Sequence, residues 1–296
     1  MFELAALGAA LCWAVTGLVG AGPARAVGPT AFGFYRQGMV TLMLGAVTLV
    51  TGGWQSVTGH DAAWLALSGL VGVFLGDTLL FFSLVRLGPR RAGALFALNA
   101  PMAALLGRVV LGETLPPQGW AGVALCAVGV AVAVLGRPGR SGTHSFEAVR
   151  GRVWIGVTFG LLAALGQAGG SLIARPVMAA GQVDAMTASL IRVGIAVVCS
   201  SILVSLPIRQ FRPQARLTLR LGAQIAASGV LAMLIGMTLL LFALSGGKVG
   251  IVSTLSALSP VLILPVLWIV TGARPSATSW AGAAMATVGM ALIFLR

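Results

Sequence analysis

Acidic residues are scarce in this sequence: only 6 of its 296 residues are Asp or Glu, and charged residues of both signs total 8%. A soluble domain carries about 25% charged residues, and so few charges cannot cover a water-facing surface of this size. Hydrophobic residues reach 58%, and the mean hydropathy is +1.01. The scarcity of charge therefore excludes a water-soluble globular protein and makes the lipid bilayer a partner of the chain.

Residues that bind metals or act as nucleophiles are also sparse, with three Cys and two His. No spacing matches a metal site or a disulfide framework, so we expect no metal and no cofactor. A membrane enzyme would need converging acids, bases or ligands. Gly76-Asp77 resembles part of an intramembrane aspartyl protease motif, but Phe74 replaces its first glycine, and the sequence offers no second membrane-embedded Asp.

Long apolar runs are what the sequence has in abundance. About 20 helical residues span the ~30 Å hydrocarbon core, and in lipid the backbone must satisfy its hydrogen bonds internally. The sequence therefore predicts an all-α polytopic membrane protein with ten transmembrane helices, separated by Gly, Pro and Arg. The runs lie near residues 4–20, 30–51, 62–86, 91–111, 118–136, 153–173, 184–206, 219–244, 248–271 and 277–295.

The two halves of the sequence resemble each other. Residues 76–84 match residues 236–244 at an offset of 160, and Trp120-Ala121-Gly122 matches Trp280-Ala281-Gly282 at the same offset. We interpret this as a duplicated unit of five helices. An odd number of helices gives the copies opposite membrane orientations, which predicts two inverted five-helix repeats. The predicted division is 1–136 and 153–296, joined by a basic linker at 137–152; the alternative is a duplicated structural protein that transports nothing.

Basic residues give the chain a net charge of +13. They lie mostly in short loops and form no stripe along one face, so we expect no nucleic-acid binding. Thirteen follow the odd-numbered helices, whereas three fall on the opposite side: Arg175, Lys248 and Arg296. The positive-inside rule then places both termini outside. Because Arg outnumbers Lys eighteen to one and Ala and Gly are abundant, we expect a bacterial gene and a location in the inner membrane.

Three ionisable residues lie inside apolar runs: Arg36, Asp77 and Arg192. Such groups cost about 2.5–3.5 kcal/mol on insertion scales and are functional candidates. At 1.5 Å per helical residue, Arg36 lies roughly 9 Å and Asp77 roughly 13 Å from the cytoplasmic side, so we expect a pair. We expect Asp77 to contact a substrate amine or to couple protons, with Arg36 as its partner. The alternative is a static ion pair. We expect Arg192 to gate transport or to extend its charge to the exterior interface.

Two prolines interrupt corresponding helices, Pro101 in the first half and Pro260 in the second. Paired interruptions free backbone groups and point to a central site, so we assign them a hinge role. Asn99 and Ser256 lie close to them and are candidates for a polar cavity; for the hydroxyl of Ser256 the alternative is a bond to a carbonyl of its own helix. Trp13 and Gln167 are candidates for substrate contact, with helix packing as the alternative.

The order of motifs in each half resembles the EamA-type repeat of the drug/metabolite transporter superfamily. The first half contains Asn99-Ala100-Pro101, then Leu111-Gly112-Glu113, then Trp120-Ala121-Gly122 and Gly129. The second half repeats this frame with Ser259-Pro260, Trp280-Ala281-Gly282 and Gly289, but Ala273 stands where the glutamate would be. The resemblance implies a ten-helix secondary transporter, often an exporter of amino acids or related metabolites. Both the resemblance and its loop position suggest that Glu113 caps the helix that follows it or bonds loop amides.

The sequence therefore predicts a secondary transporter that exports amino acids or related zwitterionic or neutral compounds by alternating access. No Gly-Lys-Ser/Thr loop is present, so ATP is not the expected energy source, and protons are a candidate coupling ion. Ten helices can enclose a site within one chain, so we expect a monomer. The alternatives are import or facilitated movement of another metabolite or a lipid-like or cationic compound. More distant ones are an enzyme or a channel, although no filter loop or charge ring is visible.

Overall fold

The computed structural model describes residues 1–135, 151–209, 211–259, 261–262 and 276–294. Most of the predicted linker and Pro260 therefore lie outside the described residues. Each predicted apolar run coincides with a helix or with the described part of one, except that the run at 91–111 is divided into two helices at Leu98. The helices are α1 Phe2–Val27, α2 Pro29–Thr51, α3 Gly59–Leu87, α4 Pro89–Ala97, α5 Asn99–Leu111, α6 Pro117–Leu135, α7 Val153–Ala179, α8 Ala185–Ser205, α9 Leu219–Gly246, α10 Val249–Ser256 and α11 Ala277–Phe294.

Five stretches are long and apolar enough to cross a membrane by length and composition alone. They are Gly59–Leu87, Arg91–Leu111, Val153–Ala179, Ala185–Ser205 and Leu219–Gly246. Shorter apolar helices occur at Phe2–Thr16 and Pro117–Val132. The described part of the chain contains no β-strand. The chain is thus a multi-pass α-helical membrane protein.

Two helix boundaries consist of a glycine followed by a proline. Gly28 has a φ of 90° and Gly88 a φ of 85°, a region that L side chains rarely adopt. Pro29 and Pro89 then occupy the first turn of α2 and α4, where a missing N–H costs nothing. One residue is therefore enough to turn the chain from α1 into α2 and from α3 into α4.

A close contact between the halves joins α6 to α11. A methyl group added to Gly129 would lie 2.5 Å from the backbone nitrogen of Ala286, and one added to Gly289 would lie 2.7 Å from that of Cys126. The thiol of Cys126 donates to the carbonyl of Ala286 at 3.3 Å. Since 126 and 286 differ by the repeat offset of 160, each helix makes nearly the same contacts with the other. Gly122 contacts Gly289 and Gly129 contacts Gly282, so the two helices run antiparallel.

The other contacts between the halves are reciprocal in the same way, because each helix of one half packs on a helix of the other. Helix α2 packs on α8, and α5 packs on α10. Helix α1 packs on α9, while α7 packs on α3. The hydroxyl of Ser200 donates to the side-chain oxygen of Gln37 at 2.9 Å, and Gly45 faces Leu190. Helices α2 and α8 therefore also run antiparallel.

Matching irregularities interrupt both halves. The π-helical segments Gly69–Leu75 in α3 and Val230–Met237 in α9 lie at equivalent positions. Such segments leave backbone groups unpaired and often mark functional sites. In the first half the chain also breaks between α4 and α5, just before Pro101, which has no N–H to bond to Ala97. In the second half α10 ends at Ser256, ahead of Pro260.

The glycine contact between α6 and α11 generates a prediction about stability. Gly129→Ala places a methyl group against the backbone of α11, so we expect it to lower the free energy of unfolding by about 1–3 kcal/mol. Gly222→Ala in α9 is the matched control, because nothing lies within 4 Å of the added methyl. Thermal unfolding in detergent measures both. Equal midpoints for the two variants would show that the contact is not tight.

Candidate functional site

An ion pair lies between α2 and α3. The Nη2 atom of Arg36 donates to the Oδ2 atom of Asp77 at 2.7 Å, and the exposed fractions of the two side chains are 6% and 16%. The depths of the two residues in the sequence led us to expect this contact, and the structure brings them together. A charge-assisted hydrogen bond of this length is strong when water is excluded. Its role in transport stays a prediction.

Two aromatic rings enclose the guanidinium of Arg36. Its central carbon lies 4.8 Å from the ring centre of Phe81 and 5.4 Å from that of Phe32. The two rings pack edge to face, with centres 5.1 Å apart. Cation–π attraction strengthens when the cation is desolvated. The rings therefore hold the head of Arg36 in place and leave Asp77 as its one described charged partner.

Arg192 lies elsewhere than the sequence led us to expect. The expectation that its side chain extends to the exterior interface is wrong, because its exposed fraction is 0%. Its Nη1 atom lies 3.2 Å from the sulfur of Met237, while Nε and Nη2 have no hydrogen-bond partner in the described chain. Asp77 is near enough to interact with it electrostatically. Arg192 does not extend to an interface because its face of α8 packs on α2, α3 and α9.

The duplication explains why these residues meet. Met237 occupies the position of Asp77 at the offset of 160, so Arg36–Asp77 and Arg192–Met237 are equivalent contacts. The backbone of each arginine packs on a glycine of the opposite half, Arg36 on Gly229 and Arg192 on Gly69. The two guanidinium groups therefore flank the contact between the halves. Asp77 is hydrogen-bonded to Arg36 and also acts electrostatically on Arg192.

Trp13 and Gln167 lie at equivalent places beside the π-helical segments. The indole nitrogen of Trp13 donates to the carbonyl of Ala232 at 2.8 Å, and its ring lies against Gly236. The backbone of Gln167 lies against Gly76, the residue before Asp77. Trp13 thus satisfies one carbonyl of the irregular segment. Its contact with a substrate stays a prediction, as does that of Gln167.

Asn99 and Ser256 bond to nearby backbone carbonyls. The amide of Asn99, at the start of α5, donates to the carbonyl of Phe96 in α4 at 2.7 Å, and the hydroxyl of Ser256 donates to the carbonyl of Ser253 in its own helix at 3.1 Å. For Ser256 this is the alternative that the sequence left open, and such bonds are typical of polar side chains at helix interruptions. Pro101 lies in the first turn of α5, directly after the break.

A second polar cluster joins Glu113 to the opposite half. Its Oε2 atom accepts from the backbone nitrogen of Val249 at 2.8 Å, and its Oε1 atom lies 3.4 Å from Nε of Arg175. Lys248 donates to the carbonyl of Thr114. Glu113 therefore caps α10 and not the helix that follows it. The loop at 113–114 thus contacts Arg175 and Lys248, two of the three basic residues that do not follow odd-numbered helices.

Sequence reasoning missed two residues of this region. Met237 was visible as the partner of Asp77 in the aligned repeats, but a methionine in an apolar run carries no signal of its own. The bond between Gln37 and Ser200 joins residues 163 positions apart, and no local pattern marks it. Among the described residues, no group of His, Cys, Asp and Glu could hold a metal ion.

An all-helical chain that crosses the membrane repeatedly and buries ionisable groups where its halves meet has the architecture of a membrane transporter of small molecules. The model of the EamA-like transporter family matches residues 1–135 and 154–295. The chain belongs to this family, which consists of transporters and not enzymes, and the resemblance found in the sequence is confirmed.

Comparisons with individual proteins support the fold. A solved crystal structure of a protein with 20% sequence identity covers 99% of this chain and 96% of its own chain, with a TM-score of 0.79. At this identity the likeness shows the fold alone. Among curated proteins, none matches this sequence.

The shared carboxylate generates an asymmetric prediction. Asp77→Asn leaves two buried guanidinium groups without a counter-charge, so we expect a loss of about 3–5 kcal/mol in unfolding free energy. Arg36→Met should cost less, because Asp77 still interacts with Arg192. The double variant should recover most of the loss. Denaturant unfolding in detergent micelles measures all three, and equal costs for the two single variants would contradict the sharing of Asp77.

The Glu113 cluster generates a graded prediction. Glu113→Ala removes both the cap of α10 and the ion pair with Arg175, so we expect a loss of about 1–2 kcal/mol. Glu113→Gln keeps an acceptor for Val249 and should lose less. Thermal unfolding of both variants is the measurement. A larger loss for Gln than for Ala would contradict the capping role.

Proposed function

We propose that this chain is a secondary transporter that moves small metabolites across a bacterial inner membrane by alternating access, in the direction of export. The observation that carries the proposal is the exchange of contacts between the halves, in which α2 packs antiparallel on α8 and α6 on α11. Two such halves in opposite membrane orientations can exchange conformations, so that one end opens as the other closes.

The charged residues between the halves support a substrate that carries charge of its own. Arg36, Asp77 and Arg192 lie where α2, α3, α8 and α9 meet. Two cations and one anion suit an amino acid or a related zwitterionic compound. In this proposal Asp77 contacts the substrate amine or exchanges a proton, and protons are the coupling ion. Trp13 and Gln167 line the path beside the π-helical segments.

The Glu113 cluster supports a gate on one face only. The loop at 113–114 binds Arg175 and Lys248 of the second half, whereas Ala273 stands at the equivalent place in the other copy. With both termini outside, as the loop charges favour, this cluster faces the exterior. Opening toward the exterior then requires these contacts to part, while Pro101 and Pro260 act as hinges. One chain forms the whole pathway as a monomer.

Counterflow in proteoliposomes tests the proposal. Vesicles loaded with unlabelled amino acids and related metabolites should accumulate the labelled form of a substrate, in a saturable manner. Asp77→Asn should reduce this exchange by about tenfold or more, because it removes the one carboxylate of the site. The matched control is Asp61→Asn, since Asp61 caps the exposed start of α3 with Thr58 and lies outside the site.

The outcomes separate clearly when size-exclusion chromatography confirms folded protein. Exchange that Asp77→Asn abolishes and Asp61→Asn retains supports the proposed site. Unchanged flux through Asp77→Asn at every pH would remove the carboxylate from the mechanism. Flux that rises linearly with substrate and never saturates would indicate a channel.

A further inference from the structure

The guanidinium of Arg192 carries a charge that the described chain does not neutralise. Its side chain is completely buried, and its one polar contact with a described residue is with the sulfur of Met237 at 3.2 Å. A thioether is a weak acceptor and carries no charge. Asp77 acts on Arg192 from a distance, but its Oδ2 atom accepts the hydrogen bond from Nη2 of Arg36. The cluster of Arg36, Asp77 and Arg192 therefore keeps one net positive charge.

The unpaired atoms of Arg192 have a specific geometry. Its Nε and Nη2 atoms both lack partners among the described residues. These two N–H groups point in the same direction along one edge of the planar guanidinium, the edge that binds a carboxylate through two parallel hydrogen bonds. Gly72 borders Nη2, and an added methyl there would lie 3.0 Å from it. The side chain thus presents a free bidentate edge beside the π-helical segment of α3.

A structural role does not account for this arrangement. A buried unpaired cation costs several kcal/mol, so an arginine kept only for packing would be less favourable than a methionine of similar shape. The first half shows how the chain neutralises this position, because Asp77 pairs with Arg36. The second half carries Met237 at the same place, and this leaves Arg192 unpaired.

We propose that Arg192 binds the carboxylate of the transported substrate through its Nε and Nη2 atoms, and that Met237 keeps this edge free by not providing a counter-charge. The assignment rests on the proposed transport function and specifies its substrate class as compounds with one carboxylate. Asp77 and Arg36 then meet the remainder of the substrate. The guanidinium is enclosed in the conformation described here, and it becomes accessible when the halves separate at α3 and α8.

The first test compares amino acids with counterparts that lack the carboxylate. Each protein amino acid is offered to the wild-type chain in counterflow, with its amide and its decarboxylated amine as competitors. We expect the acids to compete at least about tenfold better than the amides and amines, since each lost bidentate bond is worth about 1.5–3 kcal/mol. Amides or amines that compete as well as the acids would overturn the assignment and leave transport itself intact.

The second test uses variants that separate function from stability. Arg192→Met should reduce exchange of the acids by about tenfold or more while the melting temperature stays equal or rises, because a buried charge is removed. A variant that melts lower would instead mark Arg192 as structural and would contradict the proposal. Met237→Asp supplies a competing carboxylate, and it should lose about tenfold more exchange than Met237→Asn, which changes shape without charge.

A binding measurement keeps the two proposals distinguishable. Free amino acids should raise the melting temperature of the purified wild-type chain in detergent, whereas their amides should not, and Arg192→Met should abolish the difference. Stabilisation by acids without any counterflow would retain the carboxylate site and reject the transport function. Absence of stabilisation by any acid, with exchange present, would reject Arg192 as the binding residue.

Discussion

Hydrocarbon offers a polypeptide no hydrogen-bond partner, and the whole structure follows from this constraint. Every backbone N–H and C=O must find a partner inside the protein, so the chain is helical wherever it is long and apolar. Apolar side chains gain little by leaving lipid for one another, so the helices associate through close contact of small residues. The backbone contact of Gly129 and Gly289 with the facing helix is an example.

The same constraint applies wherever a helix is irregular. A π-helical segment or a helix break exposes backbone groups that cannot turn to water, so something in the protein must satisfy them. Trp13 does so for Ala232, and Asn99 does so for Phe96. Charged groups obey the same rule at higher cost, which is why Arg36 has both a carboxylate and two aromatic rings around it.

Much of this architecture could be predicted from the sequence, since helix length and apolar composition are local properties. The pairing of Arg36 with Asp77 could also be predicted, because residue depth follows from counting along two helices. The burial of Arg192 could not, since it depends on which helices enclose α8. The contact of Glu113 with Val249 was missed for the same reason: it joins residues 136 positions apart, across the two halves.

The substitution of methionine for aspartate between the halves has a consequence for the history of the chain. Two identical five-helix chains that pair head to tail would carry either two arginine–aspartate pairs, with no net charge, or two arginines without a carboxylate, with a net charge of +2. The number of charged groups at their contact would be even in both cases. Once the copies are joined in one polypeptide, each can change without the other. Asp77 and Met237 show that this freedom has been used, because a cluster with an odd number of charged groups cannot form between two identical chains.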